Sequence, residues 1–383
     1  SMDTRTVSDI ERELLPRKGG APRWCALAVT WVASILSAIA FTAWIVAPGS
    51  PPSPQVATSG VARHDVYDFY NVYNDVFKEA KYIDLTIAFA PDSPVWNAFG
   101  SVTCGTGRCE NPMEDFIDRG DKFEYGSHGF TITDYHLPSD QVATQLDPPA
   151  HWNEYGATIS DVPATFAVRP LAVVDISGKV RTNPGYHATK QDVLDWEEAH
   201  GRIPEGAVVF FRSDWSHHWA EYVEAGTTPD TFPGVSLEAL KFIHLERSVM
   251  LHGHETLDVD MSAELVGEAW LMHNNFAQAE GLTNLHLVAP SGCLVSIGFA
   301  KPEGGTGGYA RYIAICPPSW EHGQAIAEVP GAPLPVQPYP LRRDHRGVMV
   351  PDPGASPTKY CAKYGPHSQS LGCTSDGKPT WLS

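Results

Sequence analysis

Six short apolar runs, rich in β-branched and aromatic residues, constrain the fold of this chain more than any other feature. Runs of this length, bounded by Gly and Pro, predict strands that are covered on both faces of a sheet. They span residues 82–88, 171–176, 207–212, 248–252, 293–299 and 310–315. Helical spacing predicts intervening helices at 190–200, 237–246 and 263–273, with Ser236 and Ser262 as N-caps. This alternation predicts a mixed α/β (α+β) domain.

A long apolar segment without charged residues lies near the N-terminus, at residues 25–47. It is long enough to cross a hydrocarbon core as a helix, and Arg17, Lys18 and Arg23 precede it. Because positive charge stays on the cytoplasmic side, we expect residues 1–24 to form a cytoplasmic leader and 25–47 a transmembrane signal anchor. The following domain would then lie in a periplasm, in an endomembrane or organelle lumen, or outside the cell. A cleaved signal peptide is the alternative.

The remaining chain is predicted to be one folded domain between a linker and a tail. Residues 48–64 are rich in Pro, Ser, Ala and Gly and form the linker. Residues 65–80 carry aromatic and aliphatic side chains at helical spacing, which predicts an amphipathic helix packed on the main body. The domain extends over 65–328. The Pro- and Gly-rich residues 329–383 are expected to wrap its surface.

Cysteine content agrees with export. Six cysteines follow Cys25, and an even number suits an oxidising compartment. Fifteen pairings are available to six cysteines, so their connectivity stays open. Cys104 with Cys109 and Cys361 with Cys373 are plausible local disulfides.

The charge of the chain excludes one class of partner. Its 27 Lys and Arg against 45 Asp and Glu give a formal net charge of -18. Binding to nucleic acid requires clustered basic residues, so we expect no nucleic-acid partner.

A dense group of polar residues occupies a segment that otherwise resembles a strand. If the segment is extended, Gln141, Gln145, Asp147 and His151 project from the same face. Burying two amides, a carboxylate and an imidazole is costly unless each finds a partner, and a metal ion beside an acid/base group would satisfy them. A solvated strand with ordinary polar alternation is the alternative.

Residues 143–151, ATQLDPPAH, resemble the GTHxDxPxH signature of the metal-dependent cyclase/hydrolase family, which includes bacterial-type kynurenine formamidase and isatin hydrolase. Further segments resemble the family in chain order, at residues 84–86, 210–215, 233–236, 253–260, 280–282 and 301–308. The resemblance implies a cyclase-like swivelling β/β/α domain and a homo-oligomer. It also implies cleavage or closure of a C–N or C–O bond in a small carbonyl substrate.

The chain departs from the family at the expected metal ligands. Gln141 and Gln145 stand where the family has two metal-binding histidines, and Glu268 stands where it has a third. His273 is the alternative to Glu268 if the helix register differs. The resemblance therefore implies an all-oxygen ligand set of Gln141, Gln145, Asp147, Glu268 and Glu280. Oxygen ligands favour a harder divalent metal ion, Mn²⁺ by preference with Zn²⁺ or Mg²⁺ as alternatives, unless metal binding is lost.

His151 keeps its place in the motif and is the predicted catalytic acid/base, because a near-neutral imidazole can accept and return a proton. Candidate substrate-binding residues are Trp96, Phe99, His254 and His273. The predicted protein is thus a membrane-anchored, metal-dependent hydrolase or cyclase. The alternative is a cyclase-fold binding or scaffolding protein that lost catalysis when two histidines became glutamines.

Overall fold

The structure is a computed structural model that describes residues 68–354 apart from 92, 95–129, 134, 136, 138, 220, 222–230, 263, 330, 332–333 and 336. The described residues belong to one compact unit, Tyr67–Ser383. Among them, no helix is long and apolar enough to cross a membrane. The leader, anchor and linker predicted at 1–24, 25–47 and 48–64 lie outside the described residues and stay predictions.

The described residues form a mixed α/β fold, as the alternation of apolar runs predicts. The strands are β1 Lys81–Asp84, β2 Gln145–Asp147, β3 Val168–Asp175, β4 His187–Ala188, β5 Val208–Arg212, β6 Gly234–Val235, β7 Leu251–His254, β8 Ala277–Glu280, β9 Cys293–Phe299, β10 Gly308–Cys316, β11 Leu341–Arg343 and β12 Met349–Pro351. Eight of them form one sheet in the order β1-β10-β2-β8-β7-β5-β3-β9. Because β9 also pairs with β10, the sheet closes on itself.

The helices are α1 Phe69–Val72, which continues as a π-helix over Tyr73–Phe77, α2 Ser177–Val180, α3 Lys190–His200, α4 Leu237–Lys241, which continues as a π-helix over Phe242–Glu246, and α5 Val266–His273. The predicted bounds of α3 and α4 are confirmed. Ser236 caps α4 as predicted, since its side chain accepts a hydrogen bond from the Ala239 amide. Helix α5 begins later than predicted, at Val266, although the Ser262 hydroxyl still accepts its first amide N–H at 2.9 Å.

The period of two along each strand divides apolar side chains between two cores. Side chains on the inner face of the closed sheet fill one core, which includes Leu146, Val173, Phe210, Ala279 and Tyr312. The outer face of β3 and β5 packs beneath α3 and α4 in a second core, which includes Val174, Phe211, Trp196, Leu240 and Ile243. On β2, β7 and β8 the outer face instead carries polar residues, which places a polar site beside an apolar layer.

The bounds of one predicted strand differ in the structure, and the tail contains a further strand pair. The run predicted at 248–252 forms a strand only from Leu251, because Ser248 has a φ of 54° and the chain turns there. Within the predicted tail, β11 and β12 pair as an antiparallel hairpin.

A disulfide joins Cys293 at the start of β9 to Cys316 at the end of β10. The two cysteines lie next to the paired residues Leu294 and Ile315, so the strand register brings them together. The local pairs considered from the sequence, at 104/109 and 361/373, lie outside the described residues.

The predicted N-terminal helix forms only over α1 and its π-helical continuation. Its apolar side chains were expected to pack on the main body, but Phe69 and Tyr70 are 79% and 81% exposed among the described residues. No residue of α1 or of its π-helical continuation is buried, so the predicted packing of this face is wrong.

Candidate metal centre

Three neighbouring strands place the polar cluster on the outer face of the sheet. In the register of β2, β8 and β7, Gln145 faces Glu280, and Asp147 faces Gln278, which in turn faces His252. The residues between them point inward, as Leu146 and Ala279 do in the inner core. Period-two alternation thus brings side chains from distant parts of the sequence onto one surface.

Gly281 fixes the position of β2 against β8. Its φ is 61°, and a Cβ atom there would lie 2.1 Å from the Ala143 carbonyl oxygen. The hydroxyl of Thr144 donates a hydrogen bond of 2.6 Å to the Gly281 carbonyl. Only glycine allows this approach, which aligns Gln145 with Glu280.

Three carboxylates converge on this surface. Ligand atoms of Asp147, Glu268 and Glu280 all lie within 4.8 Å of one another, and the residues are 1%, 2% and 2% exposed. Glu268 reaches the sheet from α5, which approaches closely because the Gly267 amide donates to Asp260 at 2.7 Å. A Cβ atom at Gly267 would lie 2.7 Å from the same carboxylate oxygen. The structure thus brings Glu268 of α5 to Asp147 and Glu280, as the predicted ligand set requires.

Two amide side chains stabilise the negative charge of the carboxylate cluster by donating hydrogen bonds to it. Gln145 Nε2 lies 2.8 Å from Glu280 Oε2 and 3.4 Å from Asp147 Oδ2. Gln278 Nε2 lies 2.8 Å from Glu280 Oε1 and 3.1 Å from Glu268 Oε1. Sequence reasoning missed Gln278, although its position two residues before Glu280 in a strand places both on the same face.

His151 stands at one side of the cluster, at the end of a short 3-10 helix, Pro149–His151. Its Nε2 is 3.5 Å from Glu268 Oε1. Gln141 Nε2 donates to His151 Nδ1 at 2.9 Å, so the proton of the neutral ring lies on Nε2 and faces Glu268. The structure thus places the Gln141 amide nitrogen on His151 rather than on the carboxylates. Gly307 permits this, since a Cβ there would lie 2.5 Å from Gln141 Cγ.

Burial raises the pKa of each carboxyl group in the cluster. For Glu268 and Glu280 the pKa lies well above its ordinary value, because loss of hydration is reinforced by repulsion from neighbouring carboxylates, including Asp147. The pKa of Asp147 is raised mainly by burial. Asp258, which the sequence reasoning did not select, adds to the repulsion on Glu268. Without a cation, burial and mutual repulsion therefore oppose the ionisation of all three carboxyl groups.

Glu268 and Glu280 of the cluster line a cavity of about 160 Å³, together with Gln141, Gln145 and His151. The other lining residues, besides the predicted ones, are Trp152, Leu257, Asp258 and Leu265. A cavity of roughly 150 Å³ can hold benzene, so this space suits a small ring. Its polar wall and its apolar and aromatic residues together resemble an ordinary small-molecule site.

The structure places the predicted substrate-binding residues at different distances from the cluster. His254 is buried behind Glu280, with 3.9 Å between its Nε2 and Glu280 Oε1, and burial lowers its pKa to about 4. His273 is not brought to the cluster, because it lies on the exposed side of α5 with its Nδ1 hydrogen-bonded to the Ala269 carbonyl. Trp96 and Phe99 lie outside the described residues.

The donor set fits a divalent cation. Three carboxylates provide the negative charge, and Asp147 Oδ1 is buried without a hydrogen-bond partner. A buried carboxylate oxygen without a partner is unfavourable, and a cation would satisfy it. Carboxylate oxygens are ligands for Mg²⁺, Mn²⁺ and related ions.

Fold and site define an α/β protein with a buried carboxylate cluster at the wall of a small cavity. A family model described as putative cyclase matches residues 83–261. Isatin hydrolase of Roseibium aggregatum is 23% identical over 253 residues, which are 62% of this chain and 93% of that protein.

Solved structures agree with these sequence matches. Isatin hydrolase A from Labrenzia aggregata, bound to benzyl benzoate, is 26% identical with a TM-score of 0.54, covering 62% of this chain and 94% of that chain. An isatin hydrolase bound to the product analogue thioisatinate shares the fold, with 20% identity and a TM-score of 0.56 over 65% of this chain and 96% of that chain. The chain is thus similar to cyclase-family, metal-dependent-hydrolase-like proteins, and the resemblance predicted from the sequence is confirmed.

Proposed function

We propose that this chain is a metal-dependent hydrolase or cyclase that acts on a C–N or C–O bond of a small carbonyl substrate. The observation that carries the proposal is the convergence of three buried carboxylates beside His151 at the wall of a small cavity. The similarity to isatin hydrolases supports a cyclic amide or a related carbonyl compound as the substrate class.

Asp147, Glu268 and Glu280 would hold the ion, with Mn²⁺ preferred. A divalent ion bound there would polarise the substrate carbonyl and lower the pKa of a water molecule. The amides of Gln145 and Gln278 donate to the same carboxylates and keep them in place. Trp152 and Leu257 line the cavity and provide apolar contact for a ring.

His151 and Glu268 together would move the proton. The Nε2–H of His151, held in this tautomer by Gln141, points at Glu268 from 3.5 Å. The Glu268 carboxylate can therefore take a proton from the attacking water and pass it to the leaving nitrogen or oxygen, while His151 orients that carboxylate and stabilises its charge. No net proton is gained or lost in this cycle.

Two substitutions test the proposal because one should remove the metal and the other should slow turnover alone. Asp147→Ala removes a charged ligand, so bound metal and hydrolysis should both be lost. His151→Ala should retain metal but slow turnover by about 10²–10⁴-fold. Metal content by mass spectrometry and the rate of isatin ring opening measure both effects. Asp195→Ala, on the exposed face of α3, is the matched control and should change neither. Full metal content in Asp147→Ala together with full activity in His151→Ala would contradict the proposed site.

A second candidate function is a binding protein without catalysis. It is favoured by the amide nitrogens of Gln145 and Gln278, which donate to all three carboxylates and so partly replace a cation. The same metal analysis separates the two functions. A full-length protein that stays metal-free in excess Mn²⁺ and Zn²⁺ supports the binding protein.

A further inference from the structure

Two histidines lie on β7, the strand next to β8 and its Glu280, and the proposed reaction does not use them. His252 and His254 are two residues apart in a strand, so both project from the outer face. Both are buried, with 5.8 Å between their ring centroids. Burying an imidazole is costly when one of its nitrogens lacks a partner.

The hydrogen bonds of His254 fix which of its nitrogens carries the proton. Its Nδ1 lies 2.9 Å from the Thr256 hydroxyl oxygen and 3.2 Å from the Thr256 carbonyl oxygen. Because the Thr256 hydroxyl donates to the Asp258 carbonyl at 2.9 Å, it accepts from His254. The proton of His254 is therefore on Nδ1, and Nε2 presents a lone pair.

That lone pair faces the carboxylate cluster. His254 Nε2 is fully buried and has no hydrogen-bond partner, and Glu280 Oε1 lies 3.9 Å from it. This separation is too long for a hydrogen bond. Ligands about 2.1 Å from one ion can lie up to about 4.2 Å apart, so the separation from Glu280 suits two ligands of the same ion. His254 lies outside the 4.8 Å group of Asp147, Glu268 and Glu280, so a bound ion would have to draw its ring towards the cluster. A histidine with Nδ1 held by a neighbouring oxygen and Nε2 free is the usual arrangement of a metal-binding imidazole.

We propose that His254 Nε2 is a nitrogen ligand of the divalent ion held by Asp147, Glu268 and Glu280. This inference rests on the proposed function and deepens it. With glutamine at 141 and 145, the imidazole donor comes from β7 rather than from β2. The ligand set becomes mixed nitrogen and oxygen instead of all oxygen, which favours Mn²⁺ or Zn²⁺ over Mg²⁺ and Ca²⁺.

His252 provides a matched control. It occupies the same strand and the same face, and its Nε2 is likewise buried without a partner. Its Nδ1 lies 3.3 Å from His244 Nε2, and His244 Nδ1 lies 3.0 Å from the Val249 carbonyl. Of these two histidines, His254 is the one that lies within 4.0 Å of a described carboxylate. His151 is the second control, because it is the other imidazole beside the cluster.

Pulsed electron paramagnetic resonance on the full chain loaded with Mn²⁺ tests the inference, using protein labelled with ¹⁵N in its histidine rings. The wild-type protein should show the magnetic coupling of a coordinated imidazole nitrogen. His254→Gln should lose this coupling, while His252→Gln and His151→Gln should retain it. Mn²⁺ affinity, measured by equilibrium dialysis, should fall by about tenfold or more in His254→Gln, and Mg²⁺ affinity should change little.

Each other result overturns the inference. Bound Mn²⁺ without imidazole coupling in the wild-type protein overturns it without any variant, so misfolding of His254→Gln cannot obscure the answer. Coupling that persists in His254→Gln assigns the nitrogen to another histidine. If the wild-type protein hydrolyses isatin with Mn²⁺ but shows no coupling, the proposed function stands and the inference alone fails. If it binds neither Mn²⁺ nor Zn²⁺, both fail together.

Discussion

At the scale of single residues, the candidate site is a balance between three carboxylates and the few groups that offset their charge. Gln278 is central to that balance, since one amide nitrogen donates to Glu280 at 2.8 Å and to Glu268 at 3.1 Å, and lies 3.5 Å from Asp147. The glutamines of this site therefore act mainly as hydrogen-bond donors. Gln141 does the same for His151.

Removing that donor should destabilise the metal-free protein. Gln278→Leu keeps a side chain of similar size but leaves buried carboxylate oxygens without a partner, so the free energy of unfolding should fall by about 1–3 kcal/mol. Urea unfolding after removal of metal by chelation measures the change. Gln191→Leu, an exposed amide on α3 that donates to Asp195, is the control and should have little effect. Equal losses in the two variants would refute a special role for Gln278.

At the scale of elements, the parts that were predicted from the sequence are those with an apolar face. Helix α3 and strand β9 have the predicted bounds because their periodicity matches the side that they bury. The short strand β2, with the sequence QLD, has no apolar periodicity that would predict a strand. All three of its residues are buried, although two of them are polar, and it pairs with β8. Its place depends on contacts between distant residues, which a local pattern does not record.

The same reason applies to the disulfide and to the ligands. Cys293 and Cys316 meet because of the register of β9 and β10, which the spacing of cysteines does not reveal. The family motif located Asp147, His151 and Glu280, but Gln278 and His254 occupy positions whose partners are known only from the closed sheet.

The alignment of β2 with β8 can be tested at Gly281. Gly281→Ala forces a Cβ against the Ala143 carbonyl oxygen and also imposes a left-handed backbone conformation on alanine. Gly304→Ala also places alanine at a positive φ, of 70°, but has nothing within 4 Å of its Cβ, so it isolates the backbone cost of about 1–2 kcal/mol. Gly281→Ala should lose more stability than this control and should bind Mn²⁺ more weakly, as dialysis would show. Similar stability of the two variants would mean that the close approach is unimportant.

At the scale of the whole molecule, the closed sheet separates an apolar interior from an outer face that is polar on β2, β7 and β8. That polar side contains buried carboxyl groups with raised pKa values and buried histidines with lowered ones. The two kinds of group respond to acid in opposite directions. A carboxyl group with a raised pKa in the fold stabilises the fold as the pH falls, whereas a histidine with a lowered pKa destabilises it.

The histidine contribution can be isolated at His244, which is buried between β7 and the ring of Phe276. Burial lowers its pKa to about 4. Between about pH 6.5 and pH 4, His244 therefore binds a proton in the unfolded chain but not in the folded protein. Stability from this residue is therefore present above pH 6.5 and is lost as the pH falls towards 4, by about 2 kcal/mol between pH 7 and pH 5.

Replacing His244 by phenylalanine tests this contribution. His244→Phe should lower stability at pH 7, because it removes the hydrogen bonds to Val249 and His252. Between pH 7 and pH 5, however, the variant should lose about 2 kcal/mol less than the wild-type protein. The carboxyl groups contribute equally to both proteins, so they cancel in the difference. Urea unfolding at the two pH values measures it, with the exposed His273→Phe as a control whose pH dependence should match that of the wild-type protein. An unchanged pH dependence in His244→Phe would show that His244 is not the neutral, buried group that its surroundings indicate.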